Sequence, residues 1–101
     1  MLVRMARWKC RPEFWGEDIE LFEGGAVPIM RGHDGFVRAM LLGVPGQPDR
    51  IAYTVWRDRH AYEAFCASPD LAEITDMFAR MYVDDLPPVA EDYEVRAEGA
   101  A

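Results

Sequence analysis

Three side chains that can take part in chemistry lie within seven positions of one another: Trp56, His60 and Tyr62. Trp56 ends a strand-favouring stretch, and Tyr62 begins a helical pattern three residues before Phe65. Histidine can act as a general base near neutral pH, and a phenol donates a hydrogen bond. This spacing makes Tyr62 and His60 candidate catalytic residues and Trp56 a candidate pocket wall. Core packing for Trp56, an ordinary partner for the Tyr62 hydroxyl and a solvated position for His60 remain open alternatives.

A second group of residues suits an aromatic ligand, because aromatic rings give large contact areas and methionine adapts its shape. The candidate substrate-binding residues are Trp8, Arg38, Tyr53, Trp56, Phe65, Met77 and Phe78. Arg38 differs from the others because it is a charge inside an apolar strand, as is Arg4. A charge on a covered face needs a partner, either a carboxylate such as Asp92 or Glu94, a carboxylate of a second subunit, or an anionic ligand.

Composition argues against several classes of function. The formal net charge of -7 disfavours nucleic acid as a partner, because its binders carry basic patches. No apolar run approaches the ~20 residues of a membrane helix, and the N-terminus lacks the apolar segment of a signal peptide. Two cysteines and two histidines, widely separated and without CxxC or HxxxH spacing, predict no metal site and no disulfide framework. We therefore expect a cytoplasmic protein with no membrane partner.

The order of secondary-structure signals predicts an α+β fold. A mostly apolar strand runs from Leu2 to Cys10, followed by a helix with apolar spacing from Phe14 to Met30. Residues 36–42 and 50–56 predict a hairpin with a long loop. Two helices, 59–67 and 71–82, and a last strand within 90–98 complete the chain.

Two details refine these elements. Asp58 is a plausible N-cap for the first helix of the pair, and Ser68-Pro69-Asp70 ends that helix and starts the next one. Gly24-Gly25 and Pro28 predict a kink or a close backbone approach late in the first long helix.

A strand-helix-strand, strand-helix-strand order of this kind predicts the ferredoxin-like split βαβ fold, a four-stranded antiparallel sheet with helices on one side. We expect one domain over residues 1–101, with a disordered tail from about residue 97. The strands "FVRAMLL" and "IAYTVW" are apolar at nearly every position, whereas a sheet with one uncovered face shows alternation. The second face therefore predicts a homodimer in which two sheets pack together.

Several short motifs resemble the antibiotic biosynthesis monooxygenase-like family of dimeric α/β-barrel proteins. They are the segment "ELF…P" with Pro28, "DGF" at 34–36, "VW" at 55–56, "AYEAF" at 61–65 and "SPD" at 68–70. The resemblance covers nearly the whole chain and implies the same fold. It also implies oxygenation of a small aromatic or quinol substrate by O2 without a metal or other cofactor.

In family members that oxidise quinols, a tryptophan and a tyrosine lie beside the substrate, and these positions match Trp56 and Tyr62. The same enzymes have an asparagine and an arginine where this chain has Ala52 and Asp76. The alternative to a monooxygenase is therefore a non-catalytic, dimeric ligand-binding or stress-associated protein of the same fold. The haem-degrading branch of the family needs an iron-ligating histidine on the third helix, where Thr75 stands here, so we do not expect haem breakdown.

Overall fold

The structure is a computed structural model that describes residues 1–101. Its strands are β1 (Leu2–Lys9), β2 (Phe36–Gly43), β3 (Asp49–Trp56) and β4 (Val89–Glu94), and its α-helices are α1 (Glu17–Leu21), α2 (Val27–Arg31), α3 (Arg59–Ala67) and α4 (Pro69–Met77). A π-helical segment, Phe22–Ala26, joins α1 to α2, and short 3-10 helices cover Pro12–Phe14, Ala79–Met81 and Val83–Asp85. No helix has both the length and the apolar character needed to span a bilayer.

The four strands form one antiparallel sheet in the order β2-β3-β1-β4. β1 and β3 are the central strands, and each of their residues pairs across the sheet, beginning with Leu2 opposite Trp56. The helices cover one face of this sheet. The predicted α+β ferredoxin-like fold is therefore confirmed, including the hairpin formed by β2 and β3.

Strand residues alternate between the helix-covered face and the opposite, open face. A β-bulge interrupts this alternation in β2, because the pairing register shifts between Phe36 and Arg38. Phe36 lies opposite Trp56 on the covered face, whereas Arg38 lies opposite Val55 on the open face. The extra residue, Val37, therefore reverses the faces that the rest of β2 presents.

The open face carries a row of apolar side chains that no helix covers. They are Val3, Met5, Met40, Leu42, Ile51, Tyr53, Val55, Val89 and Tyr93, which the strand register places on the same side of the sheet. Val89 and Tyr93 on the edge strand are 69% and 51% exposed. A sheet that met only water on this side would show polar residues in most of these positions.

The first long helix begins later than its apolar pattern predicted and is not α-helical throughout. Gly16 has a φ of 99°, which L-residues with a side chain rarely adopt, and the α-helix starts only after it. Gly24 and Gly25 lie in the π-helical segment, and Gly25 lies directly against the Met77 side chain. The expectation of an irregular helix is confirmed, and the close approach occurs at Gly25 and not at Gly24.

One acidic residue of this helix lies in the core, although the residues that set its apolar spacing do not include it. Asp18 is fully buried, and its carboxylate accepts hydrogen bonds from Arg50 Nε at 2.8 Å and from the Gly16 amide at 2.9 Å. Helical periodicity alone could not reveal this, because the cation that compensates the buried charge comes from β3. The pair fixes the start of α1 against the sheet.

The predicted caps of α3 and α4 are present. Asp58 Oδ1 accepts a hydrogen bond from the Ala61 amide at 2.9 Å, and Ser68 Oγ accepts one from the Asp70 amide at 3.3 Å. The second of these helices is shorter than expected, ending at Met77 rather than at Tyr82. Tyr82 instead forms a β-bridge with Cys10, and this pairing draws the chain out of the helix.

Candidate functional site

A cavity lies between the helices and the covered face of the sheet. Its volume is about 60 Å³, and eleven of its fifteen lining residues are hydrophobic. The lining residues are Arg4, Ala6, Trp8, Phe22, Ala26, Met30, Ala52, Thr54, Phe65, Leu71, Ile74, Thr75, Phe78, Tyr82 and Pro88. Sites for organic ligands are mostly apolar with a few polar groups, but span about 300–1,000 Å³. The composition fits such a site, whereas the volume lies below this range, so a ligand the size of an aromatic ring requires the cavity to widen.

Aromatic rings form the body of the cavity wall. Trp8, from β1, packs edge-on against Phe78 at a centroid distance of 5.6 Å and against Tyr82 at 5.3 Å. Phe65, from α3, stacks on Trp56 at 4.6 Å with 24° between the ring planes. These contacts fix the rings in place, because edge-on and offset-stacked pairs are the favoured aromatic geometries.

The π-helical segment supplies another part of the wall. Both of its end residues, Phe22 and Ala26, line the cavity and are almost fully buried. Segments of π-helix are rare and frequently occur at functional sites. Here the wide turn sets which residues of the first long helix face the sheet.

The polar side chains of the cavity are Arg4, Thr54, Thr75 and Tyr82. Thr54 Oγ1 accepts a hydrogen bond from Trp56 Nε1 at 3.1 Å. Thr75 Oγ1 donates to the Leu71 carbonyl at 3.0 Å, and the Tyr82 hydroxyl donates to the Thr75 carbonyl at 3.1 Å. Arg4 is the one polar side chain of the lining that forms no hydrogen bond within the protein.

Two tyrosines lie within the electrostatic reach of Arg4. Burial and the Asp76 carboxylate raise the pKa of Tyr82 to about 12, partly offset by the Arg4 charge. Burial and the neighbouring thiol of Cys66 raise the pKa of Tyr62 to about 12, and Arg4 again opposes the shift. Both phenols are therefore neutral at physiological pH and remain hydrogen-bond donors.

Three of the residues proposed from the sequence meet at this cavity, namely Trp8, Phe65 and Phe78. Trp56 and Met77 lie behind the lining residues. Trp56 is fully buried beneath Phe65, and Met77 packs against the core and Gly25.

Four other proposed residues do not line the cavity. Tyr53 and Arg38 are on the open face of the sheet, and Arg38 is there because the bulge at Val37 changed its side. His60 is exposed in the first turn of α3. Tyr62 is buried on the same helix but does not form part of the lining.

Sequence reasoning did not select Tyr82 or the π-helical residues for this site, and it noted Arg4 only as a charge in need of a carboxylate or an anionic ligand. The signal for Arg4 was present, since a cation in an apolar strand calls for an explanation. Tyr82 was assigned to the end of a regular helix, and its bridge to Cys10 is a long-range contact that periodicity cannot show.

No group of three or more histidine, cysteine, aspartate or glutamate side chains converges in a way that could hold a metal ion. Cys10 is buried and Cys66 is half-buried, and both thiols are free. His33, in the turn before β2, lies 2.7 Å from the Asp70 carboxylate through Nε2. This pair connects the turn before β2 to the start of α4.

Solved structures with the same fold include enzymes of known type. The chain is similar to the monooxygenase ActVA-Orf6 of Streptomyces coelicolor, determined with nanaomycin D, at 22% identity and a TM-score of 0.81, covering 99% of this chain and 91% of the other. The cofactor-independent oxygenase SnoaB of Streptomyces nogalater matches at 16% identity and a TM-score of 0.74, covering 96% of this chain and 94% of the other. Rv0793 of Mycobacterium tuberculosis matches at 17% identity and a TM-score of 0.74, covering 98% of each chain.

At these identities the structural matches establish the fold alone. No curated protein sequence matches the chain significantly. The family model for antibiotic biosynthesis monooxygenase matches residues 1–76, which is three quarters of the chain. The chain therefore belongs to the antibiotic biosynthesis monooxygenase family.

Proposed function

We propose that this protein is a cofactor-independent monooxygenase that acts on a small aromatic or quinol substrate held between the helices and the sheet. The observation that carries the proposal is the cavity, in which Trp8, Phe65 and Phe78 form an aromatic wall and Arg4 is the one charged lining residue. Membership of the monooxygenase family and the fold shared with a cofactor-independent oxygenase support it.

The proposed reaction is the conversion of a phenol to a quinone. The substrate phenolate transfers an electron to O2, the two radicals combine to form a C–O bond, and the peroxide O–O bond then breaks. The ring carbon loses its proton and becomes a carbonyl, while the second oxygen atom leaves as water. The substrate supplies all four electrons, so the protein's task is to bind the phenolate and exclude water.

Within this reaction, the apolar wall excludes water, and the polar groups orient the oxygenated end of the ring. Tyr62, the other residue that the sequence proposed as catalytic, receives no contact with the substrate, because it is buried next to Cys66 and does not line the cavity. His60 receives no role, since it is exposed and does not line the cavity.

The test is O2 consumption by purified, chelator-treated protein with a panel of single-ring phenols and quinols, measured against the same panel without protein. We expect uptake of O2 and incorporation of one atom from labelled O2 into the product.

A matched pair of variants tests whether turnover depends on the cavity. Ala52→Leu replaces a methyl group of the lining by an isobutyl group, and we expect it to reduce turnover, whereas Ala64→Leu makes the same change at an exposed position of α3 outside the cavity. Absence of O2-dependent turnover across the panel would contradict the proposal.

A non-catalytic ligand-binding protein is the second candidate. It is favoured by one observation, which is that the cavity lining contains no histidine and no carboxylate that could serve as a general base. Ligand binding without O2 uptake in the same experiment would support this alternative.

We also propose that the protein forms a homodimer through the open face of the sheet. The support is the row of apolar side chains on that face, which includes Met40, Tyr53 and Val55 at adjacent strand positions. Packing this face on a second copy would remove it from water and give the two-sheet arrangement expected from the sequence.

A further inference from the structure

Arg4 is the only charged side chain among the fifteen residues that line the cavity. The strand register places it on the covered face of the sheet, opposite Thr54 on β3 and Asp92 on β4. It is half-buried, with an apolar wall on one side and the two neutral phenols nearby. A cation in such a position is normally paired.

The carboxylates nearest to Arg4 in the register are already held by another cation. Asp92 accepts from Arg59 Nη2 at 3.2 Å, and Glu94 lies 3.4 Å from Arg59 Nε. Arg4 itself takes part in none of the nine ion pairs of the chain, although Arg7, Arg11, Arg50, Arg57, Arg59 and Arg80 all do. Its guanidinium is therefore available to a ligand.

No other side chain that lines the cavity carries a charge, and Asp76, whose carboxylate acts on Tyr82, is an exposed residue outside the lining. Tyr62 and Tyr82 remain protonated at neutral pH, and the threonine hydroxyls of the lining are uncharged. This end of the cavity consequently has the positive charge of Arg4 with no opposing charge in the lining, which favours an anionic oxygen over a neutral group.

We propose that Arg4 is the anion-recognition residue of the cavity and that the ligand is an aromatic ring bearing a phenolate or carboxylate oxygen. The anionic oxygen binds the guanidinium, and the ring lies against Trp8 and Phe78. This inference rests on the proposed function, since it narrows the substrate class of the same site. The helix α4, which supplies Leu71, Ile74 and Thr75 to the cavity but has no buried residue, is the wall that can yield to admit the ring.

The experiment compares ligand pairs of equal size and different charge by calorimetric titration of the full chain. Benzoate against benzamide tests a carboxylate, and 4-nitrophenolate against 4-nitroanisole tests a phenolate. We expect the anion of at least one pair to bind about tenfold or more tightly than its neutral counterpart, because a charge-assisted hydrogen bond contributes about twice as much as a neutral one.

Three variants identify the residue responsible. Arg4→Gln is expected to abolish the preference for the anion, and Arg4→Lys, which keeps the charge, is expected to retain part of it. Arg7→Gln is the matched control, because it removes the same charge from an exposed position on the other face of β1. Circular dichroism establishes whether each variant is folded. If Arg4→Gln does not fold, the partial loss of preference in Arg4→Lys tests the proposal.

Equal affinity for the anion and the neutral ligand in both pairs, or no binding of either, would overturn the proposal. So would a preference that Arg4→Gln retains or Arg7→Gln removes. An anion preference that depends on Arg4, in a protein that consumes no O2 with quinols, would reject the proposed oxygenase function and leave this inference standing.

Discussion

Single residues decide the polarity of the site, and the tyrosines are the clearest case. Tyr62 and Tyr82 are 9% and 4% exposed, and burial is the first cause of the rise of each pKa to about 12. A phenol with a raised pKa donates a hydrogen bond over the whole physiological range. Both phenols therefore stay uncharged and do not neutralise Arg4, so the Arg4 charge remains available to a ligand.

The same shifts predict a loss of stability in alkali. In the unfolded chain these phenols ionise near pH 10, and in the folded chain near pH 12, so their contribution is complete below pH 10 and declines as the pH approaches 12. We expect the free energy of unfolding to fall over this interval, and the fall to be smaller in Tyr62→Phe. Urea denaturation at a series of pH values measures it, with Tyr53→Phe, from the open face, as the control. An equal decline in Tyr62→Phe and the wild type would contradict the assignment.

At the scale of elements, the π-helical segment and α4 determine the shape of the cavity together. Gly25 permits their contact, because a side chain at this position would collide with the terminal methyl of Met77 and approach Leu21 Cδ1 at 3.1 Å. Gly24, the preceding residue, has open space around it. The two glycines are therefore neighbours in the sequence, but only Gly25 lies in a crowded environment.

This difference gives a matched pair of substitutions. Alanine favours a helix over glycine by about 0.4–1 kcal/mol where no strain arises, so we expect Gly24→Ala to raise the free energy of unfolding by that amount. Gly25→Ala is expected to be less stable than Gly24→Ala, because Met77 must move, and to shift the Met77 methyl resonance. Equal stability of the two variants, with an unchanged Met77 resonance, would show that the contact is unimportant.

Sequence patterns predicted most of these elements, and the exceptions have identifiable physical causes. The strands, the hairpin and the caps at Asp58 and Ser68 follow from local residue preferences, and all were found. The features that the sequence predicted wrongly depend on residues distant in the chain or on irregular backbone. Asp18 is buried because Arg50 compensates it, and Arg38 changes face because of a single bulged residue. For that reason the aromatic part of the candidate site was predicted better than its polar part.

At the scale of the whole molecule, the open face of the sheet is the feature that a monomer leaves unexplained. Met40 and Tyr53 lie opposite each other on β2 and β3, near the middle of this face. If two copies associate there, a charge introduced at either position meets a desolvated surface and must be buried without a partner. The separated monomers then have a lower free energy than the dimer.

We therefore expect a dimer for the wild-type protein at micromolar concentration and a monomer for Met40→Glu or Tyr53→Glu. Sedimentation equilibrium measures the mass directly. Ile19→Glu is the control, because Ile19 is 51% exposed on α1, on the helix side of the sheet. A monomeric wild-type protein, or a dimer that tolerates both glutamates, would contradict an interface on this face.

The π-helical turn also bears on how this chain should be compared with others. Such a turn holds one residue more than the α-helical turn it replaces, and each residue of an α-helix advances the side-chain direction by about 100°. Removing one residue between Phe22 and Ala26 would therefore rotate everything that follows, including Met30, away from its present direction. A relative that lacks this residue would present different side chains to its cavity even if all the neighbouring residues were identical. The length of this segment therefore carries information about ligand choice that residue identity does not.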